Sequence, residues 1–200
     1  MTPARKPDFY YRKAKREGLV ARSVFKLKEL DEKYRLIRPG FKVLDLGASP
    51  GSWLDYVSGI IGDGGLAIGV DQNPLRETLR PNMRFLKNDV FTIELAQLRE
   101  FSPEFDVVIS DLAPATTGDR DGDHVRSVEL CEKAKSLALQ LLAAGGSFVC
   151  KMFQGAQTKD FVESLRPNFA QVKIQKPEAS RDESREIYIV ALDFHSSDRS

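Results

Sequence analysis

Lys151 stands inside an apolar stretch, "SFVCKMFQG" over 147–155. A lysine there is costly to bury unless it is paired or deprotonated. Three more charged residues occupy similar settings. Asp111 follows the apolar "FDVVIS" in "SDLAP", Glu186 precedes the apolar run of "SREIYIV", and Lys26 lies between Phe25 and Leu27 in "RSVFKLKEL". Two cations and two carboxylates in such places could form ion pairs or handle a proton at a reacting group. Strand alternation turns Cys150 away from Lys151, so Cys150 reads as core and not as a nucleophile.

A second set of residues points to a ligand. "DLGASPG" over 45–51 follows an apolar run and precedes a helix-like pattern. Its Gly47 and Gly51 allow close backbone approach. Gly47, Ala48, Pro50 and Gly51 are its candidate contacts. The spacing is G-x-x-x-G, not the G-x-G-x-x-G of dinucleotide binding, and Pro50 removes a donor that a pyrophosphate cradle would use. The loop suits a nucleoside-type ligand without phosphates. Asp71 ends the next strand, about twenty residues on, where an acid commonly accepts from ribose hydroxyls. Asp89 follows the third strand, placed to meet an adenine edge. Trp53 could line the pocket or simply pack, and Asp45 could hold the loop or meet a ligand amine. S-adenosylmethionine is the commonest cofactor of this type, and its sulfonium charge could be complemented by these acids.

These residues need a sheet that delivers them to one edge. The chain alternates strand-like and helix-like segments: a helical stretch over 8–36 closed by Pro39-Gly40, then "KVLDL", a helix over 52–61, "LAIGVD", "MRFLKND", a short helix over 93–100 and "FDVVISD". A long helix over 124–143 stopped by Gly145-Gly146, "SFVCKMF", a helix over 158–166, "QVKIQK" and "EIYIVALDF" complete it. Such alternation predicts an α/β fold, a mostly parallel sheet with helices on both faces. Only a loop separates the last two strands, so they should pair antiparallel at one edge. Ligands of such sheets bind beyond the carboxyl ends of the strands.

With 200 residues, 42% of them hydrophobic and 30% charged, the chain is expected to be one globular domain over 1–200. No apolar run approaches membrane length, and the N-terminus lacks a signal-peptide h-region. Asp8, Glu17 and the apolar periodicity of 19–30 argue against a transit peptide. Cys131 and Cys150 have neither metal nor redox spacing, which fits a cytoplasmic protein. Charge is uneven: residues 1–38 hold 12 of the 30 Lys/Arg and 5 of the 29 Asp/Glu, leaving 18 against 24 in the remainder. A basic arm on a mildly acidic body suggests a polyanionic partner.

The set Lys26, Asp111, Lys151 and Glu186, with "KREGLVARSVFKL", "LDLGASPGSW", "SDLAP", "GGSFVCKMFQG" and "KPEASRDESREIYIVA", resembles the FtsJ/RrmJ family of RNA ribose 2′-O-methyltransferases across nearly the whole chain. The resemblance implies a Rossmann-like methyltransferase fold, S-adenosylmethionine as cofactor, and a Lys-Asp-Lys-Glu tetrad at those four positions. It places the cofactor contacts on Gly51, Trp53, Asp71, Asp89 and Asp111. Ser52 stands where family members often have a second glycine. Lys151 would then be a general base if neutral, or a charged stabiliser of the developing alkoxide if not. Burial and Lys26 favour the first; Asp111 and Glu186 favour the second.

RNA contact is expected from Lys13, Lys15, Arg16 and Arg22, extended by Lys173, Lys176, Arg181 and Arg185; Tyr10 and Tyr11 could stack bases or anchor the arm. The resemblance points to a uridine in large-subunit ribosomal RNA, with tRNA as the competing substrate and a monomer as the default state. A non-catalytic RNA-binding assembly factor is the alternative outside enzymes. No metal site is expected, and His124 and His195 read as surface residues. The acid-rich "TTGDRDGDH" over 116–124 reads as a mobile loop over the site.

Overall fold

Alternate residues of the central strands carry side chains to opposite faces, and both faces are apolar. In the computed structural model, which describes residues 16, 21, 23–76, 78–180 and 184–196, this pattern yields one seven-stranded sheet. Its elements are α1 (Val24–Tyr34), β1 (Lys42–Leu46), α2 (Ser52–Ile61), β2 (Leu66–Asp71), β3 (Met83–Lys87), α3 (Leu95–Arg99), β4 (Phe105–Ser110), α4 (Arg120–Leu141), β5 (Leu142–Phe153), α5 (Thr158–Leu165), β6 (Phe169–Gln175) and β7 (Glu186–Phe194). The strand order is β3-β2-β1-β4-β5-β7-β6. β1 to β5 pair in parallel, and β7 runs antiparallel to both β5 and β6. The last two strands thus pair antiparallel at one edge, and β7 inserts between β5 and β6.

Leu44, Leu46, Val108, Phe148 and Cys150 pack with Cys131, Ala134 and Leu137 of α4 and Phe161 of α5. On the other face Val43, Val107, Ile109, Val149 and Tyr188 pack with Leu27 and Leu30 of α1 and with Trp53, Leu54 and Val57 of α2. α1 closes on Arg35, whose left-handed backbone (φ 53°) lets its N–H reach the Asp31 carbonyl. The buried Asp31 carboxylate accepts from the Ile37 N–H at 2.8 Å and the Tyr56 hydroxyl at 2.9 Å, tying α1 to the following turn and to α2. Of the expected helical stretch over 8–36, α1 covers 24–34; Arg35 and Leu36 fall outside it because the chain turns left-handed at Arg35, and 8–15, 17–20 and 22 lie outside the described residues.

Two expectations are corrected at α4. The helix begins at Arg120, four residues early, and takes in much of the stretch read as a loop. Asp119 caps it by accepting from the Asp121 N–H at 3.2 Å. Buried Asp123 accepts from the N–H and hydroxyl of Thr117 and pairs with Arg126. Acids at a helix N-terminus complement its dipole, which outweighs the turn propensity of Gly122. At the other end the helix passes directly into β5, so Gly145-Gly146 lie within the strand.

His124 is also buried, not on the surface. Its Nε2 accepts from the Gln157 N–H at 3.0 Å, which leaves Nδ1 to donate to the Phe153 carbonyl at 2.6 Å. The ring lies against Gly155, where a Cβ would stand 2.4 Å from it. This contact joins the start of α4 to the turn after β5. Gly155→Ala is therefore expected to destabilise the protein by about 1–3 kcal/mol, read as a lowered Tm by calorimetry.

Candidate active site

Cys150 faces α4, so Lys151, the next residue of β5, faces α1 and α2. The Lys151 side chain is 7% exposed, and its Nζ donates to the Asp111 carbonyl oxygen at 2.5 Å and to Asp111 Oδ1 at 3.0 Å. Asp111 immediately follows β4, the parallel neighbour of β5. On the other side β7 pairs Tyr188 with Lys151. The Tyr188 hydroxyl donates to the same Asp111 Oδ1 at 2.7 Å. Lys26, on α1, donates to Glu186 Oε2 at 2.7 Å. Its Nζ also lies 5.9 Å from the Tyr188 ring centroid. The four charged residues singled out in the sequence thus form two ion pairs joined by Tyr188.

Each pair offsets the cost of its own burial. Burial pushes the Glu186 carboxyl up, but the charge and hydrogen bond of Lys26, helped by Lys151, hold it below its usual value. Burial, then the charge and hydrogen bond of Asp111, keep the Tyr188 phenol protonated far above its usual range. Tyr188 escaped the sequence reading because a tyrosine in an apolar strand looks like core. Its spacing of two from Glu186, which places both on one face, was the available signal.

Beside this cluster, at the carboxyl ends of β1, β2 and β4, lies a cavity of about 500 Å³ whose lining includes Gly47, Ser49, Asp71, Asp89 and Asp111. Val90, Phe91, Leu112 and Leu130 supply apolar wall. Gly47 (φ +84°) leaves no room for a side chain, since a Cβ would meet the Leu112 backbone at 3.0 Å. Gly51 (φ +116°) is the N-cap that precedes α2. Asp71 braces the loop: Oδ2 accepts from the Ser49 N–H at 3.0 Å and Oδ1 from the Asn73 N–H at 2.8 Å. Asp89 Oδ1 accepts from the Phe91 N–H at 2.9 Å. Ala48 is buried and Pro50 half-buried in the same loop. Trp53 packs instead of lining this cavity; its indole N–H donates to the Ser23 carbonyl at 2.9 Å, and its ring lies 5.9 Å from that of Tyr188. Apolar walls with three carboxylates fit a neutral or cationic nucleoside and disfavour a phosphate.

The expected RNA contacts are less gathered. Arg16, Lys173 and Lys176 are exposed. Arg185 is half-buried and donates to the Arg120 carbonyl at 2.7 Å, which ties it to the start of α4. Lys13, Lys15, Arg22, Arg181, Tyr10 and Tyr11 lie outside the described residues. The segment carrying Lys176 is docked on α1. Glu29 Oε2 accepts from the Glu178 N–H at 2.8 Å, and Ala179 packs with Val24 and Phe25.

A family model described as FtsJ-like methyltransferase matches residues 19–194. A protein of Desulfatibacillum aliphaticivorans named Ribosomal RNA large subunit methyltransferase E is 48% identical over 183 residues, covering 92% of this chain and 88% of its own. A protein of the same name from Desulforapulum autotrophicum is 45% identical over 185 residues, covering 92% and 91%. A crystal structure described as that of a ribosomal RNA methyltransferase from Plasmodium falciparum superposes with a TM-score of 0.75 at 28% identity, over 87% of this chain and 97% of that one.

The Lys26–Glu186 pair has a pH signature. A carboxyl whose folded pKa is lowered contributes stability that is full above its unfolded pKa and lost as pH falls through the folded value. At neutral pH Glu186→Gln should cost about 1–3 kcal/mol, since it leaves Lys26 without its counter-charge. Urea unfolding across pH should show this gap closing as acidity carries Glu186 through its depressed folded value.

Proposed function

The chain belongs to the FtsJ-like methyltransferase family, and from that premise we propose that it transfers a methyl group from S-adenosylmethionine to a ribose 2′-hydroxyl of large-subunit ribosomal RNA, on a uridine. Asp111 is the observation that carries this reading. It lines the nucleoside-sized cavity and also accepts from Lys151 and Tyr188, so ligand cavity and charged cluster share one side chain. When bound, S-adenosylmethionine supplies an electrophilic methyl on a cationic sulfur. Asp71 would hold its ribose hydroxyls, Asp89 its adenine edge, and the Gly47–Gly51 backbone its methionine portion. The fit rests on the cavity itself: apolar walls for a base, acids for hydroxyls and positive charge, and a loop in which Pro50 removes one donor that a phosphate would use.

A ribose hydroxyl attacks poorly while it keeps its proton. Lys151, oriented by its two contacts to Asp111, is the side chain we assign to the attacking oxygen; it hydrogen-bonds that oxygen and stabilises it as the hydroxyl proton passes to water. Lys26 and Glu186 hold Tyr188 and the Lys151 strand in place and complete the tetrad. The arm over 1–38, with Lys173, Lys176 and Arg185, supplies phosphate contacts that position the RNA without reading its sequence. The whole chain acts as one domain and, in this reading, as a cytoplasmic monomer. The relatives named for the large ribosomal subunit favour ribosomal RNA over tRNA.

Labelled S-adenosylmethionine tests this. Wild type and Lys151→Ala protein are offered undermethylated large subunits, free ribosomal RNA and total tRNA. Label is expected on a ribose of ribosomal RNA, with transfer lowered about 10²–10⁴-fold in the variant. Label on a base would overturn the reaction assigned, label on tRNA the substrate, and full activity in the variant the role of Lys151.

A further inference from the structure

Asp45 is fully buried in β1, and among the described residues neither of its carboxylate oxygens has a hydrogen-bond partner. Buried polar groups are almost always bonded, so an unpartnered carboxylate needs a physical account. The sheet register supplies one. Asp45 lies opposite Gly69 on β2 and Ile109 on β4. Asp71 and Asp111 lie two residues further along those strands, on the same face and at the cavity. Asp45 therefore sits one side-chain layer beneath the two acids that line the ligand cavity.

Among the described residues, the groups that act most strongly on Asp45 oppose a negative charge there. Burial is the largest influence, followed by Asp111 and Asp71, and all three push the Asp45 carboxyl well above its usual range. The cations of the same face are committed elsewhere, Lys151 to Asp111 and Lys26 to Glu186; Tyr188 is itself held as a neutral phenol. With the cavity free of positive charge, burial and the two neighbouring acids favour the protonated form of Asp45. A ligand that brings a cation to that edge changes the balance, because charges interact strongly through an interior that screens poorly.

We propose that Asp45 holds its proton until the sulfonium donor binds and then releases it to solvent, so that binding of the charged donor, but not of the neutral thioether product, is coupled to loss of a proton. The inference rests on the donor reading given above. In the reaction the S–CH₃ bond breaks with its electron pair left on sulfur, and the new O–CH₃ bond replaces the O–H bond, whose proton passes to water. Sulfur thereby loses its charge, and Asp45 regains a proton from water. The product is left in a site that no longer matches it, which favours its departure.

Calorimetric titration of the full chain tests this, with S-adenosylmethionine and S-adenosylhomocysteine each run in two buffers of different ionisation enthalpy. For wild type, the donor is expected to release close to one proton more than the product. Its affinity should rise up to about tenfold per pH unit while Asp45 remains protonated in the free protein. In Asp45→Asn both effects should vanish. Equal proton release for the two ligands, or an unchanged pH slope in the variant, would overturn the inference. An infrared difference spectrum of wild type decides the matter without a variant: adding donor should remove the C=O band of a protonated carboxyl, and its persistence or initial absence would also overturn the inference. Absence of any binding by either ligand would instead overturn the donor reading of the cavity.

Discussion

An ammonium group cannot be left bare between two packed layers, and the position of Lys151 in a central strand makes that constraint govern its surroundings. Asp111 answers it from the neighbouring parallel strand through both its carbonyl and its carboxylate. That commitment draws the Tyr188 hydroxyl onto the same carboxylate. The Tyr188 ring in turn lies near Lys26, whose charge is taken by Glu186. Removing one member would leave a buried charge or donor unpaired, which costs more than the pairing itself contributes. The cluster is therefore a unit, assembled from α1, β4, β5 and β7.

The insertion of β7 between β5 and β6 is what makes this unit possible. In a wholly parallel arrangement the start of β7 would lie at the opposite end of the sheet from the carboxyl end of β5. Running antiparallel, β7 brings its first residues, Glu186 and Tyr188, to that edge and pairs Tyr188 with Lys151. α1 completes the arrangement from above, pinned by Asp31 to α2 and by Glu29 to the 178–179 backbone. Behind β5, the His124 ring over Gly155 fixes the strand's exit.

Acids and lysines are segregated along this edge. Asp71 and Asp89 lie toward β2 and β3, the lysines toward β5 and α1, and Asp111 stands between them. A cationic ligand finds unneutralised carboxylates on one side. In the proposed reaction, the attacking oxygen would find ammonium groups on the other. The same separation leaves Asp45 beneath the acidic side without a counter-charge among the described residues.

Much of this was legible in the residues themselves. Alternating apolar patterns placed α2, β2 and β7 over 52–61, 66–71 and 186–194, because strands and helices buried on a sheet impose periods of 2 and 3.6 on their sequence. Charged residues in apolar settings marked Lys26, Asp111, Lys151 and Glu186, because burial without a partner is costly at any site in any fold. Other properties depended on groups distant in the chain. The pairing of Tyr188 with Asp111, the burial of His124 against Gly155 and the isolation of Asp45 have no local signature, since each is decided by what lies across the sheet. Sequence alone determined which side chains required partners; only the tertiary structure decided which partners they received, because pairing energy depends on distances that strand order and register establish.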